Sequence, residues 1–394
     1  MEIPSPKGFL FSTAKAGIRY PNRDDLALVF SKKPAFVAGV FTTNQIKAAP
    51  VKICIRRVKG DFAQALILNS GNANACTGKR GIEDAIKITE TLAKKLKINN
   101  EHILPLSTGV IGMPMPMEKI IPALDSLIKN LGKAEPINVA QAIMTTDTFP
   151  KITFRQIEAS GKIITILGLC KGAGMIAPNM ATMLCFILTD AFIESSLVKN
   201  CLREAVSDSF NSISVDGDMS TNDTVLLLAN GEVKNEKIEK KSTLLKKFRE
   251  NLNELCLELA EMIVKDGEGA TKFITIYILG AKTFTDAKRV AKTVANSLLV
   301  KTAFYGEDPN WGRIIAAIGY SGIPVKEDLI EIYINKICLF KNGMPTMKEE
   351  ELKESLKQKE IEILINLNLG KSKAKFLTTD LTEDYVRINS AYRT

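Results

Sequence analysis

The chain has 394 residues, 45% of them hydrophobic and 25% charged, which suits a globular body with a sizeable core. Its apolar stretches, such as Met183–Leu188, are strand-sized and too short to span a bilayer, and MEIPSPKGFLF lacks the basic region and long apolar stretch of a secretory signal. The formal charge of +9 resides mostly on lysines that alternate with glutamates, as in KNEKIEKKSTLLKKFRE (234–250), which is the pattern of a solvated helix face and lacks the aromatic-interleaved arginines of a nucleic-acid binder.

In chain order, AFVAGVFTT (35–43) and QALILNS (64–70) have strand character. EDAIKITETLAKKLK (83–97) follows as a helix, with Ala85, Ile88, Leu92 and Leu96 along one face. KIITILGLC (162–170) and TMLCFILTD (182–190) read as strands, and SSLVKNCLREAVSDSF (195–210) as a helix that gathers Leu197, Cys201, Ala205 and Val206. TVLLLAN (224–230) and FITIYILGA (273–281) are further strands. DAKRVAKTVANSLLVKTAF (286–304) reads as one helix opening a C-terminal subdomain from about residue 283, and Thr382–Val386 as a strand-like run. Strands and helices mixed throughout indicate α/β layering.

Polar, glycine-rich loops lie between these elements: LNSGNANACTG (68–78), LSTGVIGMPMP (106–116), MTTDTFPK (144–151), SVDGDMSTNDT (214–224), KDGEGATKF (265–273), YGEDPNWGR (305–313) and INSAYRT (388–394). One such loop is an ordinary turn. Seven, each after an apolar run, point to a site built from loops on a rigid scaffold. The seven cysteines are dispersed without a CxxC pair, as expected of reduced thiols in the cytoplasm. A single histidine, His102, excludes a His-rich metal site and makes a base other than histidine the expectation for any nucleophile enzyme.

KGAGMIAPNMATMLCFILTDA (171–191) stands apart, because small Ala181 precedes a hydroxyl residue, Thr182, that heads an apolar run. Together with STGVIG, MTTDTFPK, DGEGATKF, DPNWGR and INSAYRT, this stretch is similar to the ornithine acetyltransferase (glutamate N-acetyltransferase) family of arginine biosynthesis. The likeness runs from GFLFSTAKAGIR to the last residue. It implies a layered α-β-β-α sandwich, shared with self-processing aminopeptidases, with a C-terminal α/β subdomain. It implies self-cleavage between Ala181 and Thr182 into an α chain, 1–181, and a β chain, 182–394, headed by the nucleophile. The physical logic agrees: a threonine hydroxyl needs a base, and cleavage creates an α-amine with a pKa of about 7.7–8.0 beside it.

The same resemblance implies the other roles. Thr108, through its hydroxyl, and Gly109, through its backbone N–H, are the expected oxyanion hole. Lys171, Glu268, Asn389, Thr394 and one of Thr145 or Thr146 are the expected substrate-binding residues, with Thr182. Acetyl moves from N²-acetyl-L-ornithine to L-glutamate through an acetyl-threonine, with no metal and no resident cofactor; acetyl-CoA stands as a second donor that the family leaves open. The expected assembly is a cytoplasmic α₂β₂ heterotetramer, with no nucleic-acid or membrane partner. Two rivals are a self-processing aminopeptidase, which usually carries serine at the nucleophile, and a basic nucleic-acid-binding protein, whose retention on DNA would depend steeply on salt.

Overall fold

Eight apolar-rich strands form the first sheet of a computed structural model, which describes residues 3–177 and 183–391. They are β1 (Phe9–Ala14), β2 (Leu26–Phe41), β3 (Phe62–Asn72), β4 (Ile103–Val110), β5 (Lys151–Ala159), β6 (Lys162–Lys171), β7 (Leu184–Thr189) and β8 (Thr224–Ala229). The order is β4-β3-β2-β8-β7-β6-β5, with β1 also on β2. The long strand β2 changes partners along its length. Its first part pairs with β1 and β3, its last part with β8, and the register breaks between Phe30 and Ala35. Pro34 lies in that break, where its lack of an N–H costs the ladder nothing.

The sheet therefore folds over into two leaves. Leu66, Leu68, Leu104 and Leu106 of one leaf meet Leu167, Leu169, Phe186, Leu188 and Leu226 of the other in one inner core. The alternate residues point outward. Ile67 and Ile103 pack under the helices Gly78–Leu96 and Met117–Lys129. Ile164, Ile187 and Leu227 pack under Ser195–Asp208 and Thr243–Lys265. The result is an α-β-β-α sandwich. Every residue of β7 and β8 is buried, which is why their sequences are unbroken apolar runs.

A second sheet, of order β12-β11-β10-β13-β9-β14, contains β9 (Phe273–Ala281), β10 (Glu331–Ile334), β11 (Ile337–Lys341), β12 (Met344–Pro345), β13 (Glu360–Asn366) and β14 (Ser372–Thr379). Its core is its own, and its first strand precedes residue 283. The helix expected over 286–304 is two, Phe284–Ala295 and Leu298–Tyr305. Ser297 starts the second by accepting the N–H of Val300 at 3.3 Å. The run Thr382–Val386 is not a strand but leads a helix, Glu383–Ala391. Thr382 Oγ1 accepts the Tyr385 N–H at 3.1 Å, and Glu383 and Asp384 in the first turn complement the helix dipole. Among the described residues no helix is long and apolar enough to cross a membrane.

Candidate active site

The end of β4 approaches β3 more closely than a side chain allows. Gly109 has φ +130°, and a Cβ on it would lie 2.3 Å from the carbonyl carbon of Gly71 and 2.5 Å from the nitrogen of Asn72. The ladder slips register at Gly71 and Asn72 to accommodate this contact. Asparagines hold the slip in place. Asn69 accepts from Ser107 Oγ at 2.6 Å and donates to the Asn72 carbonyl at 2.8 Å. Asn222 donates to the carbonyls of Ala73 and Ser107 at 2.7 and 2.8 Å. The buried Thr108 is thus mounted on backbone satisfied by side-chain amides.

A buried ion cluster supports the next wall. Lys151 is fully buried, with Nζ 2.7 Å from Asp147 Oδ1 and 2.5 Å from Asp266 Oδ2. Asp147 also accepts the N–H groups of Thr145 at 3.0 Å and Gly172 at 2.7 Å, and faces Lys171 Nζ at 3.9 Å. Burial alone would raise the Asp147 carboxyl, but the charges of Lys171 and Lys151 overturn that and hold it at about 2. Burial likewise works against the Lys151 ammonium, yet Asp147 and Asp266 keep its pKa above the ordinary lysine value. One carboxylate therefore orients both the Thr145–Thr146 loop and the loop after Lys171.

The opposite wall comes from the later part of the chain. Glu268 donates its N–H to the Ala173 carbonyl at 2.9 Å, and Asn389 Nδ2 donates to Glu268 Oε2 at 2.8 Å. Gly174 makes room for this carboxylate, since a Cβ there would lie 2.3 Å from it. Gly269, at φ +68°, lets the C-terminal helix come equally close: its Cβ would lie 2.4 Å from the Tyr385 nitrogen. Asp216 accepts the N–H groups of Met175 at 2.6 Å and Ile176 at 2.9 Å. Burial pushes its carboxyl up to about 6 against those bonds. Burial, with the charges of Asp216, Asp218 and Glu268, also pushes the Tyr385 phenol upward.

These walls enclose a cavity of about 210 Å³. Thr108, Gly109, Thr145, Thr146, Lys171, Glu268 and Asn389, all expected from the sequence, line it together. Ala181, Thr182 and Thr394 lie outside the described residues. Tyr385 and Met175 also line the cavity and were missed, because neither residue type carries a signal without its neighbours. Asp216 and Asp218, whose loop reads from the sequence either as a support of the site or simply as a turn, line it as well. The YGEDPNWGR loop does not. Trp311 stacks on Phe340 at 5.1 Å and donates to Glu349 Oε1 at 2.9 Å, within the second-sheet unit.

A lysine faces carboxylates across a small cavity with hydroxyls and glycine backbone between them, an arrangement that complements a zwitterion. Comparison with known proteins runs the same way. The chain matches the ArgJ family over residues 10–394. It is 48% identical over 390 residues to the arginine biosynthesis bifunctional protein ArgJ of Geobacter sulfurreducens, covering 98% of this chain and 99% of that protein. The protein of the same name from Caldanaerobacter subterraneus is 46% identical over 400 residues, covering 100% of this chain and 98% of its own. A crystal structure of arginine biosynthesis bifunctional protein ArgJ from Bacillus halodurans is 44% identical with a TM-score of 0.51, covering 52% of this chain and 98% of that one.

Proposed function

The chain belongs to the ArgJ family, and from that premise we propose that it transfers acetyl from N²-acetyl-L-ornithine to L-glutamate after cutting itself between Ala181 and Thr182. The observation that carries the reading is the cavity, in which Lys171 stands opposite Glu268 and Asp216 beside Thr108 and Gly109. A cation suits the α-carboxylate of an amino acid, and the carboxylates suit an ammonium group. The Bacillus halodurans chain, nearly all of which matches only half of this one, supports a two-chain product.

Thr182 Oγ attacks the acetamide carbonyl while the α-amine of Thr182 takes the hydroxyl proton. The Thr108 hydroxyl and the Gly109 N–H stabilise the oxyanion, each donor contributing about 2.7–4 kcal/mol to the barrier reduction. The carbon–nitrogen bond breaks, the proton passes to the leaving amine, and ornithine departs. Glutamate's amine then attacks the acetyl ester, its proton returning through the α-amine to Oγ, in a ping-pong sequence. No metal or resident cofactor takes part. Acetyl-CoA is a second, slower donor, in keeping with the bifunctional names of the relatives. The working form is a cytoplasmic α₂β₂ assembly.

A denaturing gel with N-terminal sequencing tests the first step. Wild type is expected as two chains, the second beginning at Thr182, and Thr182→Ala as one. A single uncut wild-type chain that still transfers acetyl would refute the mechanism. The aminopeptidase alternative fails if acetylornithine with glutamate turns over and peptide amides do not.

A further inference from the structure

The loop SVDGDMSTNDT (214–224) lends Asp216 and Asp218 to the cavity, and it also holds the chain on both sides of the Ala181–Thr182 junction. Upstream, Val215 N–H and Ser214 Oγ donate to the Ile176 carbonyl at 2.9 and 3.1 Å, while Asp216 accepts from Met175 and Ile176. Downstream, Asp223 Oδ1 accepts the Met183 N–H at 3.0 Å and Thr224 N–H donates to the Met183 carbonyl at 3.1 Å. β7 and β8 are parallel, with Leu184 opposite Thr224, so Met183 and Asp223 are the first residues beyond the ladder.

We propose that this loop is the clamp of the self-cleavage junction and that Asp223 is its positioning residue, an acceptor that fixes the peptide plane between residues 182 and 183. The inference rests on the self-cleavage reading. The N–H of Met183 lies in the rigid plane that includes the Thr182 carbonyl, so holding that N–H constrains the backbone from which the nucleophile projects. Attack on the preceding carbonyl depends on such placement, where a shift of about 1 Å can cost 10²-fold in rate.

Asp223 is fully buried and forms no salt bridge among the described residues. Burial drives its carboxyl well above the ordinary aspartate range despite the Met183 N–H, and what it offers that N–H is the Oδ1 oxygen. An asparagine reproduces that oxygen; a leucine does not.

The test compares scission half-times of newly folded wild type, Asp223→Asn and Asp223→Leu on denaturing gels. Melting temperatures of the same variants are measured in an uncut Thr182→Ala background. The expected result is cleavage within about threefold of wild type for Asp223→Asn and at least about tenfold slower for Asp223→Leu. If Asp223→Leu fails to fold, Asp223→Ser, whose hydroxyl is too short to reach, takes its place with the same expectation. Equal rates in every variant overturn the clamp. So does a defect in Asp223→Asn as deep as in Asp223→Leu, or a rate loss that merely tracks melting temperature. An uncut wild type instead overturns the self-cleavage reading itself, so the two failures are distinguishable.

Discussion

Replacing Lys151 by Met keeps its volume and removes only its charge and hydrogen bonds. Both partners, Asp147 and Asp266, are buried, and Lys151 reaches them at 2.7 and 2.5 Å. The Asp147 carboxyl is held at about 2 against an ordinary 3.8, a difference of about 1.8 pH units. At about 1.36 kcal/mol per unit, this amounts to roughly 2 kcal/mol from that carboxylate alone. Lys171 retains part of it, but Asp266 loses its only salt bridge among the described residues. Breaking a buried pair on one side typically costs about 3–5 kcal/mol, and Lys151→Met is expected in that range at pH 7. Urea unfolding in the Thr182→Ala background, where the chain is single, measures it. The Asp147 contribution is present above about pH 3.8 and disappears as the pH falls through about 2, so the two proteins should converge in strong acid. A loss below about 1 kcal/mol at pH 7 would show that the cluster is not what holds the Thr145 loop.

Gly174→Ala should leave the melting temperature unchanged, because the new Cβ meets only the movable end of Glu268, at 2.3 Å. It should raise KM for acetylornithine about tenfold by pushing that carboxylate away from Asn389, an effect of the size of one charge-assisted hydrogen bond; an unchanged KM would remove Glu268 from binding. Asp216→Asn concerns pH. With its carboxyl raised to about 6, folded Asp216 binds a proton more tightly than the unfolded chain does, so wild-type stability should fall as pH rises from about 4 to about 6. The variant should lack up to about 3 kcal/mol of that fall, read from unfolding curves at pH 4 and 7, and identical slopes would refute the burial argument.

What the sequence revealed depended on how local the cause was. LCFILT and TVLLLA announce buried strands because both faces of the sandwich are covered. The TTDT and DGEG loops were legible because each motif is contiguous. The break at Ser297 was hidden inside a run whose apolar spacing continues across it, and it is marked only by the Ser297 cap to Val300 that starts the second helix. Tyr385 looked like part of a strand because Thr382 reads as a β-former until its side chain caps. Nothing local could announce Lys151 to Asp266, 115 residues apart, or the need for Gly109 opposite Gly71.

The strand order β2-β8-β7-β6 has a consequence for any molecule cut at residue 181. β2 and β6 come from before the cut, and β7 and β8 from after it, so the later pair is intercalated between strands of the earlier piece. Both outer seams are antiparallel ladders, β2 with β8 and β6 with β7. The two pieces cannot part by peeling apart at a surface, because separation would unzip the middle of the sheet and open the inner core. Exchange of pieces between molecules should therefore be no faster than global unfolding, and the severed backbone remains, in mechanical terms, one protein.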